Sequence, residues 1–227
     1  MLKVIAATAA FAVVHSALAS RGAKRAATKT FGERNRNGLY RVVYITQSAL
    51  TFAVLAAYTR RQPSRDIYRV RPPLSLAMHG AQAVALVYAT EAARQVGIRR
   101  IVGLDSFVAW LGDGPVLPEP EAQGPALDEQ GLARHAGPFS WSRHPLNFAP
   151  LPILWLWPRM TTNLLAFNTA ATVYLVIGSL HEASRLREVW GDKYIAYEQS
   201  DVAFYLPSPD RSAADSMASV VNLQTLT

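Results

Sequence analysis

The sequence contains no cysteine. Disulfides, thiolate metal sites and a cysteine nucleophile are therefore excluded. Acids are scarce: 16 Asp and Glu stand against 23 Lys and Arg, a formal charge of +7. There is no Gly-rich phosphate loop, no Gly-x-Ser-x-Gly elbow and no His-Glu-x-x-His. Those absences argue against P-loop nucleotide hydrolases, α/β-type serine hydrolases and zincins. Without thiols, and without a carboxylate cluster in the apolar runs, the chain also lacks the ligand set of a zinc or di-iron site. No internal repeat is visible.

What is present is segregation. Half of the 227 residues are apolar, yet the mean hydropathy is near zero, because long apolar runs alternate with charged connectors. A bilayer core about 30 Å thick needs roughly 20 apolar helical residues. The candidates are Leu2–Ala19, Val42–Tyr58, Pro73–Ala89, the short proline-rich Pro145–Pro158, and Thr161–Leu180. The fourth is too short to cross alone and is expected to form a tight hairpin with the fifth through Pro158-Arg159-Met160. The pattern predicts an all-α polytopic membrane bundle of about five spans, with a cytoplasmic C-terminal helix. Basic clusters beside apolar runs favour membrane lipid over nucleic acid as the partner of the positive charge.

The first run has a second reading. Lys3, the apolar stretch and Ala17-Leu18-Ala19 resemble a secretory signal with a small-residue cleavage site. Arg21, Lys24, Arg25, Lys29, Arg34, Arg36 and Arg41 directly after it resist translocation and favour an anchor with its N-terminus outside. Five crossings then place the C-terminus in the cytoplasm; the Arg/Ala-rich composition points to a bacterial inner membrane. The second connector, with Arg60, Arg61, Arg65, Arg69 and Arg71, falls outside and fits that orientation badly. Ile98–Leu111 reads as an interfacial amphipathic helix, 115–131 as an irregular loop, and Arg185–Tyr197 as a helix leaving the fifth span. The chain divides into a three-span region (1–93), a cytoplasmic helix and loop (94–136), a motif region (137–207) and a tail (208–227).

Ionisable residues in or beside spans are costly, so each is a functional candidate. His144 sits in Ser142-Arg143-His144-Pro145, where Pro145 suits the first turn of a helix. Free N–H groups there, with the Arg143 fork, would suit an anion; an interfacial anchor explains the same residues equally well. Glu182 either pairs with Arg185 three residues on or faces a cationic ligand or a ribose. Trp190, Tyr194 and Tyr197 share one helix face, as an aromatic belt or as a wall for a planar cofactor. Gly191 predicts a break in that helix. His15 and His79 are packing residues or haem ligands.

Gly137-Pro138-Phe139-Ser140-Trp141-Ser142-Arg143-His144-Pro145-Leu146 resembles the signature of the isoprenylcysteine carboxyl methyltransferase-like superfamily, which includes phospholipid methyltransferases and methanethiol S-methyltransferase. Glu182-x-x-x-Leu186-x-x-x-Trp190-Gly191-x-x-Tyr194-x-x-Tyr197, then Leu206-Pro207, resembles that superfamily's closing motif, and 158–174 is similar to the methanethiol branch. The resemblance covers about 132–207. It implies a membrane methyltransferase using S-adenosylmethionine on the cytoplasmic side and a lipophilic or small acceptor: a thiol, carboxylate or amine. Carried over by position, Arg143 and Glu182 would be catalytic, and His144, Pro145, Asn147, Glu182, Tyr194 and Tyr197 would border the cofactor. The chain departs from the pattern at Asn147 (usually Tyr), Ala149 (often Gly) and Ala183 (usually Glu). The stretch from His15-Ser16 through Gly32-Glu33-Arg34 to Tyr40-Arg41 resembles the related NnrU family. Its relative zeta-carotene isomerase is a haem protein, which implies the alternative of haem b on His15, His79 or His144. A non-catalytic membrane partner is the third reading.

Overall fold

In the computed structural model, residues 1–112, 114–118, 124–125, 127 and 137–208 are described. Along them run α1 (Leu2–Ala19), α2 (Arg21–Phe31), α3 (Glu33–Arg61), β1 (Asp66–Arg69), α4 (Leu74–Val96), α5 (Ile98–Ile101) and α6 (Leu104–Leu111). After the loop come α7 (Pro138–Trp141), α8 (Pro145–Phe148), α9 (Pro150–Trp155), β2 (Arg159–Thr161), α10 (Thr162–Trp190) and α11 (Asp192–Glu198). The protein is thus mostly helical. Most of the 115–131 loop and of the tail assigned to 208–227 lies outside the described residues.

Three helices are long and apolar enough to cross a membrane: α1, α3 and α10. Their side chains are arranged opposite to those of a water-soluble protein. Ile5 and Val14, Leu50 and Val54, and Val173 and Val176 are exposed, while Thr8, Ser48, Asn163, Asn168 and Ser179 are buried. Apolar-out and polar-in is the arrangement a hydrocarbon solvent selects.

The expectation of about five crossings is met by fewer helices of that quality. At 23 residues, α4 is about 35 Å long, but His79 and Gln82 dilute its apolar run and it does not reach the apolarity of the other three. The Pro145–Pro158 segment breaks into α8 and α9, of four and six residues, and still runs antiparallel to α10. Asn147 meets Glu182 near one end of α10, and the Leu154 carbonyl meets Asn168 toward the other. The turn of this hairpin is a strand where a simple connector was expected. β2 pairs antiparallel with β1, and Arg159 Nε donates to Asp66 Oδ1 at 2.8 Å, which holds the Asp66 carboxyl below its usual range.

Three amides that look anomalous inside apolar runs are caps. α9 ends at Trp155, leaving its last carbonyls without helical partners. Gln82 Nε2 donates to Ile153 O and Asn168 Nδ2 to Leu154 O, both at 2.8 Å. Asn163 Nδ2 reaches the Thr59, Gln62 and Pro63 carbonyls at the end of α3. Each side chain supplies a donor that hydrocarbon cannot.

The 98–111 stretch is not one amphipathic helix. Gly103, at φ 78°, divides it into α5 and α6, and α6 packs on α3. Two basic residues that read as lipid-facing charge hold it there. Arg34 donates to the Trp110, Gly112 and Gly114 carbonyls at and beyond the end of α6, and Arg41 Nε donates to Ile101 O at the end of α5 at 2.7 Å. A methyl group on Gly38 would strike the Trp110 side chain. Gly38→Ala is therefore expected to cost about 1–3 kcal/mol through overpacking, read as a lower Tm in detergent. An unchanged Tm would show that α6 does not seat on α3 in this way.

Candidate functional site

The ends of α1, α4 and α10 and the start of α3 meet at one end of the bundle. Tyr40 Oη donates to Leu18 O at 2.6 Å, Arg21 pairs with Glu188, and Tyr88 Oη donates to Pro138 O. The Ser142–Pro145 segment enters here. Ser142 is fully buried, donates from Oγ to Tyr205 O at 2.8 Å and accepts from the His144 amide. His144 is the N-cap of α8, with Pro145 at its first position.

The His144 side chain is completely enclosed. Its Nδ1 lies 2.9 Å from Glu182 Oε2, and Asn147 Nδ2 donates to the same oxygen at 3.0 Å. A residue on α10 thus accepts from the N-cap of α8 and from a residue within it, and Glu182 Oε1 takes no hydrogen bond among the described residues. The Glu182–Arg185 pair read from the spacing does not form. Asn147 is fixed in turn by Tyr205 Oη, which donates to its carbonyl at 2.8 Å; burial pushes the Tyr205 hydroxyl up to about 12.

Arg143 is elsewhere. Its Nη1 contacts Glu198 Oε1 at 3.0 Å, its guanidinium lies over the Phe204 ring, and Glu198 also takes Arg187 through two bonds. The Arg143 fork expected beside the helix start is engaged by Glu198. The guanidinium faces away to Glu198, and α8 is a single turn without the aligned peptides that make a helix end attractive to anions.

Tyr194 and Tyr197 sit on α11, after the break that Gly191 makes at φ 55°. They are 0% and 1% exposed and pack with Ala183, Leu186 and Val202, so they line no open wall. Tyr197 Oη donates to Phe139 O at 2.6 Å; burial raises both phenols above the usual range. Ala183, small where the family pattern has Glu, is a buried member of this core.

The open space lies on the other side of Glu182. A cavity of about 700 Å³ is lined by α1 (Ala12, Val13, His15, Ser16), α3 (Tyr40, Arg41, Tyr44) and α10 (Tyr174, Ile177, His181, Glu182, Arg185), with Lys24 and Asn147 at its edge. Among the predicted site residues, Glu182 and Asn147 reach it and so does His15; Arg143, His144, Pro145, Tyr194, Tyr197 and His79 do not. Tyr44, Tyr174 and Arg185 were missed. Only the packing of α3 against α10, helices far apart in sequence, reveals them, and polar residues spaced along apolar runs were the one signal available.

The three histidines considered as haem ligands are separated by role. His15 has Nδ1 against Ser48 Oγ at 3.0 Å and Nε2 against Tyr44 Oη at 2.6 Å. His79 Nδ1 contacts Gln82 Oε1 at 2.7 Å, and its ring meets Trp157 near the β1–β2 ribbon. His144 keeps Nε2 buried without a partner among the described residues. No group of three or more metal-ligating side chains occurs among the described residues.

The last feature is the strap that closes over the motif. Ser142 bridges Ala203, Arg143 N donates to Ala203 O at 2.8 Å, and Phe204 packs edge-on against His144 at 4.9 Å. The chain from Val202 to Ser208 thus locks the Arg143–His144 segment from the side opposite the cavity partners.

No protein-family model matches the chain, and no solved structure matches it. It is similar to methanethiol S-methyltransferase of Pseudomonas deceptionensis, 35% identical over 92 residues that make up 40% of this chain and 35% of that protein. The match spans about a third of the relative's length and supports a methyltransferase-like relationship for that part of the chain.

Proposed function

We propose that the protein is an integral membrane methyltransferase that takes its methyl group from S-adenosylmethionine bound in the α1–α3–α10 cavity. The observation that carries this reading is Glu182. Its Oε2 is fixed by His144 and Asn147, while the carboxylate still lines a space of about 700 Å³, the size of a small-cofactor site. The partial likeness to a methyltransferase supports the same chemistry.

The residues present fit the cofactor's parts. Arg185 makes no hydrogen bond or ion pair among the described residues and lines the cavity, so it would hold the carboxylate end with charge-assisted bonds. Glu182 would take the amino group or a ribose hydroxyl, and the Tyr40, Tyr44 and Tyr174 rings would flank the adenine. When bound, the sulfonium supplies an activated methyl group. The chain's task is to hold donor and acceptor in line and keep water out. Apolar side chains of Ala12, Val13 and Ile177 line the same cavity and suit a small or lipophilic acceptor arriving from the bilayer.

The decisive measurement is calorimetric titration of the purified protein with S-adenosylmethionine. Saturable binding that S-adenosylhomocysteine competes away, together with the lack of a Soret band, is the expected result. Absence of saturable binding would remove this function.

A further inference from the structure

His15 is an ionisable group of the cavity that the mechanism above leaves unused. It sits in the apolar α1 run, and both of its hydrogen-bond partners lie on α3. Its Nδ1 meets Ser48, its Nε2 meets the Tyr44 hydroxyl at 2.6 Å, and its ring is stacked on Phe11 and touched edge-on by Tyr174. In the tautomer that donates Nδ1–H to buried Ser48, Nε2 accepts the Tyr44 proton. Both His15 and Tyr44 line the same cavity as Glu182.

We propose that Tyr44 and His15 form a relay that removes the proton of a protic methyl acceptor, a thiol or hydroxyl compound, bound in this cavity. The inference rests on the methyltransferase reading and narrows its acceptor. Moving a methyl group from a sulfonium to a neutral R–X–H uses the electron pair of X to form X–CH₃. The bond from carbon to sulfur breaks with its pair going to sulfur, so X then carries one proton too many. That proton passes to Tyr44 Oη as the Tyr44 proton passes to His15 Nε2, leaving an imidazolium and a neutral methylated product. The imidazolium later returns the proton to water. A carboxylate acceptor is ionised already and needs no such relay. Arg41 on α3 and Arg185 on α10 also face the cavity, and their positive charge lowers the cost of ionising X–H. The Arg41 guanidinium lies 5.8 Å from the Tyr44 ring centre.

The relay is tested with full-length His15→Gln, whose amide still bonds Ser48 or Tyr44 but takes no proton, and with Tyr44→Phe. Transfer to ethanethiol should fall about 100-fold in His15→Gln, while transfer to 4-nitrothiophenol, already a thiolate at neutral pH, should stay within about threefold. Equal losses on both thiols, or no loss on either, would overturn the proposal. A second readout needs no turnover. Bound 4-nitrophenol should show a larger ionised fraction by absorbance in the wild type than in either variant, and equal fractions would overturn the relay. Failure of the wild type to bind S-adenosylmethionine would count against the methyltransferase reading alone, since the nitrophenol measurement judges His15 independently.

Discussion

Glu182→Ala is expected to abolish saturable S-adenosylmethionine binding and to lower the Tm of the purified protein. Two effects combine. The substitution strips the shared acceptor from His144 Nδ1, which is wholly enclosed, and from Asn147 Nδ2. An unsatisfied buried donor costs about 1–3 kcal/mol, so the α8–α10 junction loosens. The cavity also loses the only carboxylate that lines it among the described residues. Glu182→Gln separates these effects. It preserves shape and one acceptor oxygen, so it should fold close to wild type and still bind the cofactor at least about tenfold more weakly, a change of about 1.4 kcal/mol. Wild-type affinity in both variants would show that Glu182 serves the fold alone.

The second large effect is expected at Glu198, a residue that no sequence motif singled out. It holds Arg143, with side-chain exposures of 13% and 14%, and takes Arg187 as well. Removing one partner of an enclosed pair leaves an uncompensated charge, at a cost of about 3–5 kcal/mol. Glu198→Ala should therefore unfold at markedly lower temperature than wild type. Arg143→Ala should cost less, because Glu198 keeps its two bonds to Arg187. It should also leave cofactor affinity within a few-fold, because Arg143 does not line the cavity. Thermal melts and titrations of the two variants check this asymmetry. A reversed order, or lost binding in a well-folded Arg143→Ala protein, would return Arg143 to the binding site.

Of the residues the two motifs single out, Glu182 and Asn147 line the cavity and Arg143, Tyr194 and Tyr197 do not. His144 and Glu182 do meet, across 38 positions, and Asn147 joins them where the family pattern usually has a tyrosine. Tyr205 donates its hydroxyl to the Asn147 backbone carbonyl from the strap. Arg143 is ion-paired with Glu198, and Tyr194 and Tyr197 are packed core.

The membrane-helical character of the chain is set by the sequence itself. Solvent preference is additive along a run, so hydropathy and length suffice to identify α1, α3 and α10, and Gly191 ends its helix for a local steric reason. Pairing is another matter. Whether Gln82, Asn163 and Asn168 were functional groups or caps depended on which carbonyls a neighbouring broken helix left open. Whether Arg34 and Arg41 faced lipid or α6 depended on a packing decision of α6. The cavity follows the same logic. His15, Tyr44, Tyr174 and Glu182 come from three helices separated by long connectors, and periodicity within one run carries no information about the rotation of another. Only the packing of α1 and α3 against α10 turned Glu182 toward that space and Arg143 away from it.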